Sequence, residues 1–338
     1  MPRKSIKTEK EDSLSDLALE AALAALNSKF GKGSVMLAGV NDTMDVERIP
    51  LNHPDLDELT GGGIPRGRIT EIIGWASSGK STLAMEICAA AQRIGLRTAY
   101  IDVEHAVGPD YANAVGFDIS KALIAQPDSA EEALEIFEAL VKSGAVGCIV
   151  VDSIAAMATR AELDGEITDM QVGDKARLIG KAIRKTLSAI SNTKTAAVFI
   201  NQFRNSIGGY GKSNVTPGGH AIEFAASLRI EISKKETLWK VTSEDKVPVG
   251  QVSIVKGIKN KVALPYTKCE IELVFPNGPG TPAGLNRITP FINRALESGT
   301  LVQKGAWYSH GGQNIAQGRE KLIALLQSDP ELLKEISK

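Results

Sequence analysis

An α/β protein built on a mostly parallel sheet with helices on both faces is the fold class this sequence predicts, and three observations predict it. Short apolar runs alternate with helical patterns through the middle of the chain: Arg68–Ile73, Thr98–Ile101, Cys148–Val151 and Ala196–Ile200 are followed in turn by helix, helix, helix and loop. Such β-rich runs, apolar without alternation, suit strands covered on both faces. The first run leads into Gly74–Trp75–Ala76–Ser77–Ser78–Gly79–Lys80–Ser81, which fits G-x-x-x-x-G-K-[ST] with a strand before it and a helix, Thr82–Arg93, after it. Beyond Gly250 the pattern turns to alternation (QVSIVKGIKNK, CEIELVF), which reads as antiparallel additions to the sheet.

In chain order, the first thirteen residues carry charges with no apolar run behind them, so they read as a disordered leader and not as a secretory signal. Residues 14–30 place Leu19, Leu23, Leu26 and Phe30 at helical spacing. Ser13 or Ser15 can cap this helix, Gly31 and Gly33 can end it, and GSVMLAG follows as a short strand. Its apolar stripe needs cover, from its own core or from a neighbouring subunit. Residues 1–41 thus form a small helix-strand unit ahead of a core at 42–278. The turn cluster NGPGTP (277–282) separates a small α+β C-terminal domain, 279–338, with Trp307–Tyr308 and a helix near Gln317–Gln327.

Lys+Arg (39) nearly balance Asp+Glu (40), so any nucleic-acid site has to come from local clustering. Cys88, Cys148 and Cys269 lie far apart without a CxxC pair, which argues against disulfides or zinc and suits the cytoplasm. No apolar run approaches the roughly 20 residues of a membrane span.

The Gly-rich segment implies a phosphate site. Gly74 and Gly79 let backbone N–H groups turn inward around phosphates, together with those of Ser77 and Ser78. Lys80 reaches the β/γ-phosphates, and Ser81, followed by Thr82, offers its hydroxyl to Mg²⁺. In open α/β sheets ligands bind at the carboxyl ends of the strands. Those ends carry Asp102 and Glu104, then Asp152, then Asn201 and Gln202. Asp152 is placed to hold the Mg²⁺ shell, Glu104 to activate water, and Gln202 to sense the γ-phosphate. A strand-end cap is the plainer role for each, and their company with the phosphate loop favours the chemical one.

Many ordered segments carry a closer likeness: FGKGSVM (30–36), the phosphate loop, YIDVEHA (100–106), SGAVGCIVVDSIAAM (143–157), AELDGEITD (161–169), FINQFRNSIG (199–208), PGGHAIEFAASLRI (217–230), KNKVALP (259–265) and KGAWYS (304–309). Together they resemble the bacterial RecA family. That resemblance implies a RecA-like P-loop ATPase core that uses ATP and Mg²⁺. It implies helical filaments on single-stranded DNA, pairing with double-stranded DNA, strand exchange and DNA-stimulated hydrolysis. Roles in DNA repair and the damage-induced SOS response follow, with LexA-type repressors and recombination mediators as further partners.

The family likeness also implies that the N-terminal unit packs on the neighbouring subunit. Two loops, about 162–174 and 203–218, would bind DNA. The second carries Arg204, Ile207, Tyr210 and Lys212, a mix of cations and apolar wedges suited to single strands, and closes at Gly218 and Gly219. Arg177 and Arg184 would lie near the DNA backbone, although a solvated helix face is the plainer reading. Lys259 and Lys261 alternate on one side of a strand and would reach the neighbour's ATP. Tyr111 and Phe275 match base-packing aromatics. Trp75–Ala76 stand for the usual Pro–Glu, Gly108 for an Asp that contacts adenine, and Glu223 for a lysine, which suggests a divergent or phage-encoded member. A related DNA motor of helicase-like rings, or a regulatory filament without strand exchange, are the alternatives.

Overall fold

The computed structural model describes residues 5–31, 34–35, 46–166, 173–205, 214–241, 245–277 and 281–336. It divides into two compact units, Met1–Val46 and Glu47–Lys338. In the first, a single helix spans Ser5–Phe30, longer at its start than the leader and serine caps of the sequence reading allowed. The segment KTEKED consists mostly of straight-chain helix formers, which lose little side-chain freedom in a helix. Gly31 ends the helix at φ 102°, and its N–H donates to Asn27 O at 3.0 Å. The expected GSVMLAG strand lies mostly outside the described residues.

The second unit is organised by a nine-stranded sheet. Its strands are β1 (Ile69–Gly74), β2 (Thr98–Asp102), β3 (Ala122–Ala125), β4 (Cys148–Asp152), β5 (Ala196–Gln202), β6 (Leu228–Val241), β7 (Lys246–Asn260), β8 (Lys268–Val274) and β9 (Gly284–Leu285). Across the sheet the order is β9-β8-β7-β6-β1-β5-β4-β2-β3. From β6 to β3 every pairing is parallel, and β6, β7, β8 and β9 pair antiparallel. The antiparallel additions anticipated beyond Gly250 are therefore present.

Period-two alternation splits the buried strand residues between two cores. Ile72, Tyr100, Val150 and Val198 pack with Leu83 and Ile87 of the helix Lys80–Arg93 on one face. Ile101, Val151 and Phe199 pack on the other, against Leu134 and Phe137 of Ala130–Ser143 and Ile179 and Ile183 of Asp174–Thr193. Phe137 meets Phe199 edge-on at 5.1 Å. Ser129 and Gly144 bound the Ala130–Ser143 helix, Ser129 by accepting from Glu132 N, Gly144 by taking φ 65°.

A third core belongs to the C-terminal segment. Ile292, Leu301, Tyr308, Leu322 and Ile336 gather around the helix Ile288–Ser298 and a three-stranded sheet, Leu301–Lys304, Trp307–His310 and Gln313–Gln317. The expected terminal helix runs Arg319–Ser328, and a second, Pro330–Ile336, follows it. Arg287 ties this part to the nine-stranded sheet and its helices: its guanidinium reaches Glu86 Oε2 at 2.5 Å and Leu51 O at 3.1 Å. No helix of the described residues is long and apolar enough to cross a membrane.

Candidate nucleotide site

Strand register assembles the site. Ile73 and Gly74 of β1 lie opposite Asn201 and Gln202 of β5, and Asp102 of β2 lies opposite Asp152 of β4. The apolar runs therefore end in step, and their polar ends emerge along one rim, where parallel sheets place ligands.

Between β1 and the helix Lys80–Arg93 the backbone turns sharply. Ser77 takes φ 57° and Gly79 φ 100°. Gly74 lies so near β6 that a Cβ would sit 2.2 Å from Ile232 O, so only glycine lets the loop lie this close to the sheet. Gly79 opens the helix with no side-chain cap. Its first N–H groups thus remain for an anion, and the helix dipole favours one there. Ser78 is buried, and its carbonyl accepts from Gln251 Nε2 and Ser253 Oγ, both at 3.1 Å.

Lys80 is 6% exposed and donates to Trp75 O at 2.7 Å. Burial lowers its ammonium below the usual lysine range, while the charges of Asp152 and Glu104 oppose that shift. Asp152, also 6% exposed, is raised mainly by burial, against hydrogen bonds from Tyr100 and Ser81 that favour its charged form. The Tyr100 hydroxyl, fully buried, donates to Asp152 Oδ2 at 2.6 Å. The Asp152–Ser153 peptide is cis. Glu104 is exposed, and its Oε1 accepts from both Ser153 Oγ (2.6 Å) and Gln202 Nε2 (3.0 Å).

These groups border a cavity of about 480 Å³. Ser77, Gly79, Lys80, Ser81 and Thr82 line one side, Glu104, Asp152 and Gln202 another, and Gln251, Leu273 and Phe275 complete the wall. Tyr111 lies outside the lining but its hydroxyl pairs with Thr82 Oγ1 at 2.8 Å. Tyr100, Ser153, Gln251, Ser253 and Leu273 escaped sequence reasoning. Tyr100 left one signal: a tyrosine in a buried strand needs a partner for its hydroxyl. Among the described residues no three His, Cys, Asp or Glu side chains gather as a metal cage. Ser81 and Asp152 offer one hydroxyl and one carboxylate, which suits a hard cation that takes its remaining ligands from phosphate and water.

Lys259 and Lys261 do not line this cavity. Lys259 Nζ donates to Glu223 O at 2.5 Å and Phe224 O at 3.2 Å, and Lys261 Nζ to Phe224 O at 3.4 Å. Arg204 donates to Ala155 O at 3.3 Å. Arg177 and Arg184 are exposed on the Asp174–Thr193 helix, Arg177 paired with Asp174 at 3.3 Å. Gly218 (φ 90°) and Gly219 (φ 71°) end the second loop, and a Cβ on Gly218 would press within 2.8 Å of Ile154. Ile207, Tyr210 and Lys212 lie outside the described residues.

Comparison with known proteins agrees with this geometry. A family model described as the RecA N-terminal domain matches residues 17–279, and one described as the RecA C-terminal domain matches 290–338. Protein RecA of Thermus aquaticus is 44% identical over 321 residues, covering 94% of this chain and 92% of the relative. Protein RecA of Ruminococcus albus is 44% identical, covering 94% and 78%, and that of Fusobacterium nucleatum 43%, covering 95% and 83%. The crystal structure of the RadB recombinase shares the fold, with a TM-score of 0.50 at 16% identity over 66% of this chain and 94% of that one. On the family models and these identities, the chain belongs to the RecA family of recombinases.

Proposed function

We propose that this chain is a DNA-dependent ATPase that assembles as a helical filament on single-stranded DNA and exchanges strands with homologous duplex. The observation that carries the reading is the shared carboxylate oxygen: Glu104 Oε1 accepts from Gln202 Nε2 at 3.0 Å at the rim of the phosphate loop cavity. A general base and a side chain placed to sense the γ-phosphate are thereby joined at one point, so a change at the phosphate reaches β5 and the loop that follows it.

In this reading Ser81 and Asp152 would hold Mg²⁺, which would supply charge neutralisation to the phosphates. Lys80 and the N–H groups of Ser77, Ser78 and Gly79 hold the phosphates, Gly74 seats their loop on the sheet, and Thr82 positions Tyr111 beside the base with Phe275. Glu104 takes a proton from the attacking water. Lys259 and Lys261 reach the ATP of the adjoining subunit, so turnover depends on assembly. Arg177, Arg184 and Arg204, with Ile207, Tyr210 and Lys212 between Phe203 and Gly218–Gly219, contact the DNA. A cytoplasmic setting, LexA-type repressors and recombination mediators complete the proposal.

Lys80→Ala is the test. It should abolish ATP turnover and the extended filaments seen by electron microscopy with ATP and single-stranded DNA. Strand exchange by that variant at the parent rate would overturn the reading, and closed rings formed by the parent protein would favour a motor instead.

A further inference from the structure

A row of charged side chains crosses three adjacent strands. Glu71 of β1 lies opposite Arg229 of β6, and Arg229 lies opposite Lys259 of β7. Register partners project to one face, so two cations stand directly opposite each other, with Lys261 two residues on. Within the sheet only Glu71 offsets them, and it is 1% exposed and already bonded: Oε2 accepts from Arg229 Nε at 2.7 Å and Oε1 from Asn201 Nδ2 at 3.1 Å.

The second negative charge comes from outside the sheet. Glu223, on the short helix Ala221–Ala225, accepts from Arg229 Nη1 at 2.7 Å through Oε1, and its Oε2 meets His220 Nδ1 at 2.9 Å. Its backbone carbonyl is the acceptor for Lys259 Nζ, and the next carbonyl, of Phe224, serves both Lys259 and Lys261. The carboxylate therefore anchors the helix turn that holds both ammonium groups. Inward from Arg229 the bonds continue through Glu71 to Asn201, whose Oδ1 accepts from Gln202 N at 3.0 Å and whose Nδ2 also donates to Pro217 O at 3.1 Å. One continuous polar path thus joins the rim of the nucleotide cavity, the end of the second loop and the lysine pair.

We propose that Glu223 is the positioning residue of the Lys259–Lys261 pair, and that through Arg229, Glu71 and Asn201 it ties the pair to Gln202. This rests on the reading that the two lysines serve ATP turnover. Without the Glu223 carboxylate, three cations share one buried carboxylate, and the turn that orients the ammonium groups loses its anchor. A charge-assisted bond of this kind is worth more than a neutral one, and its loss is expected to lower DNA-stimulated kcat/KM for ATP about tenfold.

The experiment is a double-mutant cycle on the full-length chain with Glu223→Ala, Lys259→Ala and both together, assayed by ATP turnover on single-stranded DNA. Glu223→Gln, of the same size, is run beside them, with a melting curve for every variant. If Glu223 acts through Lys259, adding Glu223→Ala to Lys259→Ala changes turnover by less than about twofold, whereas independent effects multiply. Multiplying losses would overturn the proposal, and a matching fall in the melting curve of Glu223→Ala would assign Glu223 to stability instead. Parent-like turnover in both Glu223 variants would overturn it as well. Undiminished turnover in Lys259→Ala would refute the lysine reading itself, and the proposal with it.

Discussion

Replacing Glu104 by glutamine isolates charge from shape. Glu104 Oε1 accepts from Ser153 Oγ at 2.6 Å and Gln202 Nε2 at 3.0 Å, and the amide oxygen of a glutamine can accept both. The side chain is exposed, so the substitution should alter stability by no more than about 0.5 kcal/mol. Lys80 loses one of its two supporting charges, but Asp152, the larger of the two, remains. What the variant lacks is a group that can take a proton. A positioned general base contributes roughly 10²–10⁴ in rate, which is about 3–5 kcal/mol of barrier. Steady-state ATP hydrolysis on saturating single-stranded DNA should fall by that factor, while ATP-dependent DNA binding, read by fluorescence anisotropy, persists. Turnover close to that of the parent would refute the role of base. Loss of DNA binding together with turnover would show that Glu104 is structural.

Tyr100→Phe removes the hydroxyl that donates to Asp152 Oδ2 and leaves a buried carboxylate short of one donor. Denaturant unfolding should show a loss of about 1.5–3 kcal/mol, and half-maximal hydrolysis should need more Mg²⁺; unchanged values for both would remove Tyr100 from the site. His53, fully buried, is held neutral by burial, its titration lowered from 6.5 to about 4, and its Nδ1 accepts from Leu56 N at the start of the helix Pro54–Thr60. The unfolded chain protonates this histidine first, so its contribution is intact above pH 6.5 and is lost as pH falls from there to about 4, by about 3 kcal/mol in all. His53→Asn keeps an acceptor and cannot titrate, so its stability should fall less over that window; an identical pH profile would refute the assignment.

Local signals carried most of the fold and the heart of the site into view from sequence. Strand, glycine-rich turn and helix are consecutive from Ile69 to Arg93, so their chemistry is written in neighbouring residues. Asp152 and Gln202 were legible because each ends an unbroken apolar run, and parallel register brings such ends together. Contacts that depend on pairing between distant strands were not legible. Tyr100 and Asp152 are diagonal neighbours across β2 and β4, and Gln251 and Ser253 reach Ser78 from an antiparallel strand 173 and 175 residues later in the chain. Glu223 stood out as a reversed charge, yet its partner Arg229 is six residues away and only the β1-β6-β7 register explains why a carboxylate is wanted there. Propensity explains the longer N-terminal helix, since the charged KTEKED segment has no apolar stripe to announce it.

The proposed mechanism places catalysis at an interface that DNA assembles. Its most direct test is the rate of ATP hydrolysis with and without single-stranded DNA, at fixed Mg²⁺ and salt, across a range of protein concentrations. Catalysis at such an interface requires strong stimulation by DNA and a cooperative rise with protein concentration. Hydrolysis indifferent to DNA and linear in protein would contradict it.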